Sequence, residues 1–225
     1  MAKPIPQPPA PRLYLATPLT GDPSSLVASL PALLAKADIA AVLLRLAKAD
    51  QKTQTKTIKA LVPVVQSAGS ALLLDEHLEL VARAGADGAH VSGVDAIEDA
   101  LSTLKPEWIA GVGGLETRHD SMSAGETGVD YVMFGEPNKK GERPSIDAIT
   151  ERLQWWAELF EPPCVGYAVN LDEARQFAAA GADFVLVGDF IWEDARGPAA
   201  ALADANEALG QGYAVVIENF KAVQG

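Results

Sequence analysis

Residues 180–189 read AGADFVLVGD, and the pattern is written twice earlier, as AGADGAHVSG at 84–93 and TGVDYVMFGE at 127–136. In each copy a helical stretch ends and a glycine follows: Gly85, Gly128 or Gly181. Two places on stands an aspartate, Asp87, Asp130 or Asp183, and an apolar run begins. Glycine suits a left-handed helix C-cap, where a side chain clashes. Aspartate can hold backbone amides in the tight turn that leads into a strand. One helix-to-strand turn used three times marks a chain of βα units.

Outward from these copies, short apolar runs fall at 13–18, 40–46, 71–75, 88–92, 108–114, 131–136, 164–169 and 184–189. Longer helical patterns separate them, such as SSLVASLPALLAKA, SIDAITERLQWWAELF and LDEARQFAAAGA. Nearly continuous apolar strands belong to a parallel sheet buried on both faces. About eight βα units in 225 residues predict an α/β fold, a (β/α)8 TIM barrel. An open doubly wound sheet is the alternative. The three copies then mark strands four, six and eight, with the Gly-x-Asp turns at the bottom. Their other ends reach the top face, where barrel enzymes keep their chemistry. There the copies diverge: Ser92-Gly93, Gly135-Glu136 and Gly188-Asp189.

The composition narrows the function. A formal net charge of −12 argues against a general nucleic-acid binder, which wants a basic excess. The single cysteine, Cys164, allows no intrachain disulfide and excludes a cysteine-type zinc site. A reducing compartment, the cytoplasm, is the expected location. No apolar run approaches membrane-spanning length, and MAKPIPQPPAPR lacks the apolar stretch of a signal peptide. Its prolines predict an extended, mobile arm over 1–12 ahead of one barrel domain over 13–225. Trp155-Trp156 on the sixth long helix read as packing residues, with a subunit interface in a homo-oligomer as the alternative.

The strand ends supply the candidate site: Arg45 and Lys48; Asp75, Glu76 and His77; His90 and Asp95; Gly111, Gly113 and Gly114, then Arg118 and His119; Glu136, Asn138, Lys139 and Lys140; Gly166 and Asn170; Gly188 and Asp189. Asp75, Glu76 and Asp95 are hard oxygen donors suited to Mg²⁺, with an N-cap as the competing role for Asp95. Arg45, Lys48, Lys139 and Lys140 are candidate phosphate cations, with solvated loop charge as the alternative. Mouth glycines free backbone amides for a phosphate. No strand carries the buried lysine of a Schiff-base aldolase, and no Ser-His-Asp constellation can be assigned.

On LYLATP, LLRLAK, ALLLDEHLELVARAGADGAHVSGVD, GVDYVMFGEPNKKG and AGADFVLVGDFI, covering about residues 13 to 209, the chain resembles the thiamine phosphate synthase family, with its thiazole tautomerase relatives. The resemblance implies a transferase that joins an aminopyrimidine diphosphate to a thiazole phosphate, with Mg²⁺ and cationic side chains on the departing diphosphate. It carries over unevenly. Arg45 keeps the arginine of an Arg-x-Lys, but the lysine is Ala47, with Lys48 one place late, and the preceding glutamine is Leu43. The metal aspartates correspond to Glu76 and Asp95, and the family's His-x-Gly-x-x-Asp appears as His90-Val91-Ser92-Gly93-Val94-Asp95, with His90 and Asp95 in place. A serine after strand five is Gly113. Lys139 and Lys140 are candidates for the lysine after strand six. The Gly-Gly cradle is Gly166-Tyr167, and the serine ending strand eight is Gly188, followed by acidic Asp189. Glu136 stands where tautomerase relatives have a histidine. The implied catalytic set is Arg45, His90, Glu136, Lys139 and Lys140. The implied substrate-phosphate set is Arg45, Lys48, Gly113, Lys139, Lys140, Gly166 and Gly188. The departures leave an impaired synthase, a thiazole isomerase using Glu136, His90 or His119 as acid and base, and a catalytically silent binding barrel as alternatives.

Overall fold

The computed structural model describes residues 6–138 and 140–224; Lys139, one of the candidate cations, lies outside the described residues. Eight parallel strands close on themselves in chain order: β1 (Arg12–Ala16), β2 (Ile39–Leu44), β3 (Ala71–Asp75), β4 (Gly88–Ser92), β5 (Ile109–Gly113), β6 (Tyr131–Phe134), β7 (Cys164–Tyr167) and β8 (Phe184–Val187). The open sheet is thereby ruled out: β1 pairs with both β2 and β8, so there is no edge and no topological switch point. Helices α1 (Ser24–Leu34), α2 (Gln51–Gln66), α3 (Val81–Ala84), α4 (Ile97–Leu104), α5 (Arg118–Glu126), α6 (Ile146–Leu159) and α7 (Leu171–Ala179) fill the crossovers. A one-turn α8 (Asp189–Trp192) and a long α9 (Pro198–Gln224) follow β8.

Strand alternation splits the core in two. Tyr14, Ala16, Leu43, Leu73, Tyr131, Met133, Val165 and Leu186 fill the barrel interior. Their neighbours, such as Leu13, Leu15, Leu72, Leu74, Val132 and Val185, face outward against the helices. Trp156 is fully buried in that outer layer and donates from Nε1 to the Pro162 carbonyl at 2.7 Å, which makes it a packing residue. Gly212 lets α9 lie close on α7, since a Cβ there would stand 2.3 Å from the Arg175 carbonyl oxygen.

The repeated turn does its work at the bottom of the barrel. Gly85, Gly128 and Gly181 have φ of 82°, 92° and 90°, the left-handed region expected of a C-cap glycine. The aspartates reach across to the neighbouring strand rather than into their own turn. Asp87 accepts from the Leu72 amide at 2.7 Å, Asp130 from Ala110 at 2.7 Å and Asp183 from Cys164 at 2.8 Å. Each copy therefore stitches an even strand to the odd strand before it. The β1–β2 pair uses a different stitch, a bidentate Arg12–Asp38 contact at 2.6–3.0 Å. Ahead of β1, which opens one residue earlier than expected, the Gln7 side chain donates to the Tyr213 hydroxyl at 2.9 Å, and that hydroxyl donates to the Pro8 carbonyl at 2.6 Å.

Candidate active site

A chain of polar side chains runs up the barrel axis to the mouth. At its base the Tyr14 and Tyr131 hydroxyls lie 3.1 Å apart. Tyr131 meets His90 Nδ1 at 3.0 Å, and the two rings are nearly parallel, 8° between planes. His90 Nε2 donates to Glu136 Oε1 at 2.9 Å, because a carboxylate oxygen can only accept. The other Glu136 oxygen accepts from the Gly114 amide at 2.9 Å. His90 is 1% exposed and Glu136 15%, so the chain is buried at one end and open to the mouth at the other.

The glycines of β5 make room for this chain. Residues two apart on a strand share a face, and Gly111 and Gly113 both look inward. A Cβ on Gly111 would stand 2.0 Å from the Tyr131 ring. A Cβ on Gly113 would stand 1.5 Å from Glu136 Oε2 and 3.0 Å from His90 Nε2. The space that Gly113 leaves open, expected to admit a phosphate, holds the Glu136 carboxylate in this structure. The missing serine and the new glutamate thus have a common steric cause.

The electrostatics follow from this burial. Desolvation pulls the His90 pKa down, but the Glu136 charge and hydrogen bond, with Asp75 and Glu76 nearby, outweigh it and hold it above the ordinary histidine value. Asp75, beside His90 across β3 and β4, is pushed up by burial and further by Glu136 and Glu76, against the pull of His90 and Arg45. Burial raises both tyrosines.

Glu136 opens onto a cavity of about 960 Å³ over the ends of β4, β5 and β6, lined among others by Ser92, Asp95, Gly114, Lys140, Arg143 and Arg152. Sequence reasoning passed over Tyr14, Tyr131, Arg143 and Arg152. Arg152 donates to the Leu115 and Glu116 carbonyls at 2.7 and 3.0 Å and holds the β5–α5 loop at the cavity wall. Arg143 donates to the Gly135 and Tyr167 carbonyls at 2.6 and 2.7 Å and pairs with Glu173 at 2.9 Å, tying the β6 loop to β7 and α7.

The remaining candidates scatter. The missing Cβ of Gly166 faces Phe177 of α7 at 2.8 Å, outside the barrel, and Gly166 sits within the ladder to Phe134 and Val185. Its neighbour Tyr167 packs toward the barrel interior instead. Asn170 caps α7 through the Glu173 amide at 2.8 Å. Gly188 precedes α8, whose first residue Asp189 forms an ion pair with Arg45. Lys48 is exposed in the β2–α2 loop and is not among the residues that line the cavity. Arg118 is spent on Glu151 at 2.6 Å and lies over Trp155, while His119 is exposed on α5. Asp95 lines the cavity but does not cap α4, whose N-cap is Ala96 without a side-chain bond. Glu76 is exposed at φ 69°, the one non-glycine residue with positive φ among those described. No group of three or more His, Cys, Asp or Glu side chains forms a metal cluster among the described residues. No helix among them is long and apolar enough to cross a membrane.

A closed (β/α)8 barrel with an acid–histidine chain and a charged cavity at its C-terminal face belongs to the class of barrels that work on small molecules at the mouth. The family that matches is thiamine monophosphate synthase, over residues 13–191, and the chain belongs to it. A thiamine-phosphate synthase of Rhodospirillum centenum is 38% identical over 201 residues, covering 88% of this chain and 97% of that protein. One from Hyphomonas neptunium is 36% identical over 206 residues, covering 86% and 91%. Among solved structures, thiamine phosphate pyrophosphorylase from Pyrococcus furiosus superposes with a TM-score of 0.73 at 20% identity, covering 90% of this chain and 96% of that one, a likeness of fold.

Proposed function

We propose that this chain is a thiamine phosphate synthase, joining an aminopyrimidine diphosphate to a thiazole phosphate with release of diphosphate. The observation that carries this is the family match across the barrel, reaching from β1 to α8. In the reaction the pyrimidine methylene C–O bond breaks, diphosphate leaves with the electron pair, and the thiazole nitrogen forms the new C–N bond. Positive charge develops on the pyrimidine as the leaving group departs. A carboxylate fixed in advance at that point lowers the barrier without reorganising. Glu136 is such a carboxylate, held from below by His90 and from the side by the Gly114 amide, and it faces the cavity. His90 acts through Glu136 as a positioning residue.

Lys140 at the cavity rim, with Lys139 beside it in sequence, is the candidate cation for the departing diphosphate. Arg45 is the candidate for a substrate phosphate on the opposite side of the mouth. The donor chemistry fits Mg²⁺ in the form that relies on substrate oxygens. Glu76 and Asp95 follow adjacent strands, both are exposed, and neither side chain has a hydrogen-bond partner among the described residues. One or two carboxylates beside phosphate oxygens are a usual Mg²⁺ set, and the ion would supply charge neutralisation of the leaving diphosphate. The test is rapid-quench single-turnover formation of thiamine phosphate from both substrates with Mg²⁺. Product formation that falls at least about a hundredfold in Glu136→Gln supports the assignment. Absence of product from the wild-type chain overturns it.

A further inference from the structure

The loop from β6 to α6 begins with Glu136, and its base is held by an arginine seven residues further on. Gly135, at φ 95°, turns the chain out of β6, and Arg143 comes back to it: Nε donates to the Gly135 carbonyl at 2.6 Å. The same guanidinium donates from Nη2 to the Tyr167 carbonyl at the end of β7, at 2.7 Å, and forks onto Glu173 of α7 at 2.9 and 3.2 Å. Glu173 accepts in turn from the Val169 amide at 3.1 Å. The Arg143 and Glu173 side chains are 18% and 10% exposed, so the pair sits within the wall rather than on the surface. Further out the loop is knotted on itself. Asn138 Oδ1 accepts from the Lys140 and Glu142 amides at 2.9 and 3.0 Å, and the Asn138 carbonyl accepts from Gly141 at 2.8 Å. Pro137, Asn138, Lys140, Gly141 and Glu142 are exposed. A compact turn with little buried surface moves as one piece, and its place depends on what holds the base.

We propose that Arg143 is a positioning residue for the reaction: its bond to the Gly135 carbonyl holds Glu136 on His90, and β7 and α7 supply the anchorage. This rests on Glu136 serving the reaction proposed above. The Gly135 carbonyl belongs to the planar peptide unit that enters Glu136, so the tether fixes the direction in which the Glu136 side chain leaves the backbone. From there its carboxylate meets His90 and the Gly114 amide, both at 2.9 Å. A planar guanidinium serves two carbonyls and a carboxylate at once. An ammonium keeps the charge opposite Glu173 and gives up the fork. Arg143→Lys therefore leaves no carboxylate alone in the wall, yet releases the tether to Gly135. A displacement of about 1 Å at a reacting group can cost about a hundredfold in rate. A residue that only stabilises the fold leaves Glu136 in place in every folded molecule, and there the two roles part.

The full chain at one pH is compared as wild type, Arg143→Lys and the double variant Arg143→Met/Glu173→Gln, which removes both charges together. Exchange of the His90 Nε2 proton, followed by NMR, is expected to be at least about tenfold faster in both variants. The kcat for thiamine phosphate formation, per folded molecule, is expected to fall about ten- to a hundredfold, with KM for the aminopyrimidine diphosphate changed less than about threefold. In a Glu136→Gln background, Arg143→Lys is expected to lower kcat by less than about threefold more, because both substitutions act on one carboxylate. Wild-type exchange in the variants overturns the proposal. So does an Arg143→Lys loss in kcat that is as large without the Glu136 carboxylate as with it. Where Arg143→Lys does not fold, the double variant decides by the same measurements. Turnover separates this from the proposed reaction. Product formation with wild-type exchange and kcat in the variants removes the tether alone. Faster exchange in the variants, with no product from any chain, removes the reaction and keeps the tether.

Discussion

Two carboxylates stand at equivalent ends of the repeated motif and meet opposite fates. Glu136 follows β6 and is folded inward over a glycine, onto a buried histidine. Asp189 follows β8 and stays in solvent, on the rim arginine. The same turn at the bottom of the barrel delivers both strands, so the difference comes from what each carboxylate finds at the top. Glu136 finds the space left by Gly113 and a donor whose charge it stabilises. Asp189 finds a cation already tied to the barrel wall. A carboxylate of the first kind is part of the folded core; one of the second kind belongs to a rim ion pair.

The most direct way to break the comparison is to refill the space under Glu136. Gly113→Ser places a side chain where the Glu136 carboxylate lies, so the carboxylate must leave His90. Turnover is expected to fall at least about a hundredfold, as when one preorganised electrostatic contact is lost. The denaturation midpoint is expected to drop with it, by about 1–3 kcal/mol in stability. Restoring the family serine is thus expected to harm this chain rather than repair it, and paired rapid-quench and urea measurements check both.

Charge without shape is sharpened by pH. The His90 pKa lies above that of an unfolded histidine, so its contribution to stability is fully present below about pH 6.5 and is lost as pH rises through the folded value. In Glu136→Gln the main raising cause disappears while burial still opposes the charge, so this pH dependence is expected to flatten or reverse. Urea midpoints from about pH 5 to 9, with the His90 imidazole followed by NMR, test it. An unchanged profile in Glu136→Gln removes the pair from the account.

At the bottom, Asp130→Ala leaves the Ala110 amide without its acceptor at the β5–β6 seam. A loss of about 1–2 kcal/mol is expected, with single-turnover rates within about twofold of wild type. A large rate loss at unchanged stability would show that the seam reaches the mouth. Smallest of all, Asp189→Asn is expected to change stability by less than about 1 kcal/mol, since it removes an exposed pair. A loss comparable to that of Gly113→Ser would erase the distinction between core and rim carboxylates.

Much of the architecture was legible in the order of residues. The Gly-x-Asp turns, the eight apolar runs and the barrel they imply are local properties: a left-handed backbone calls for glycine, and a strand buried on both faces calls for unbroken apolar sequence. The stretches carrying the resemblance to thiamine phosphate synthases were visible for the same reason, since they are contiguous. The site was legible only as a set of strand ends. Which glycines open inward is set by strand parity and by what stands opposite, so Gly113 and Gly166, both expected to cradle phosphate, turn out to seat Glu136 and Phe177. Which charges are already spent is set by barrel closure. It brings Arg45 against Asp189, 144 residues away in sequence, His90 against Glu136 at 46, and Tyr14 against Tyr131 at 117. Sequence determines which groups are present and on which strand they ride. Only the closed barrel decides which of them meet, because that depends on register and curvature summed over every strand between them.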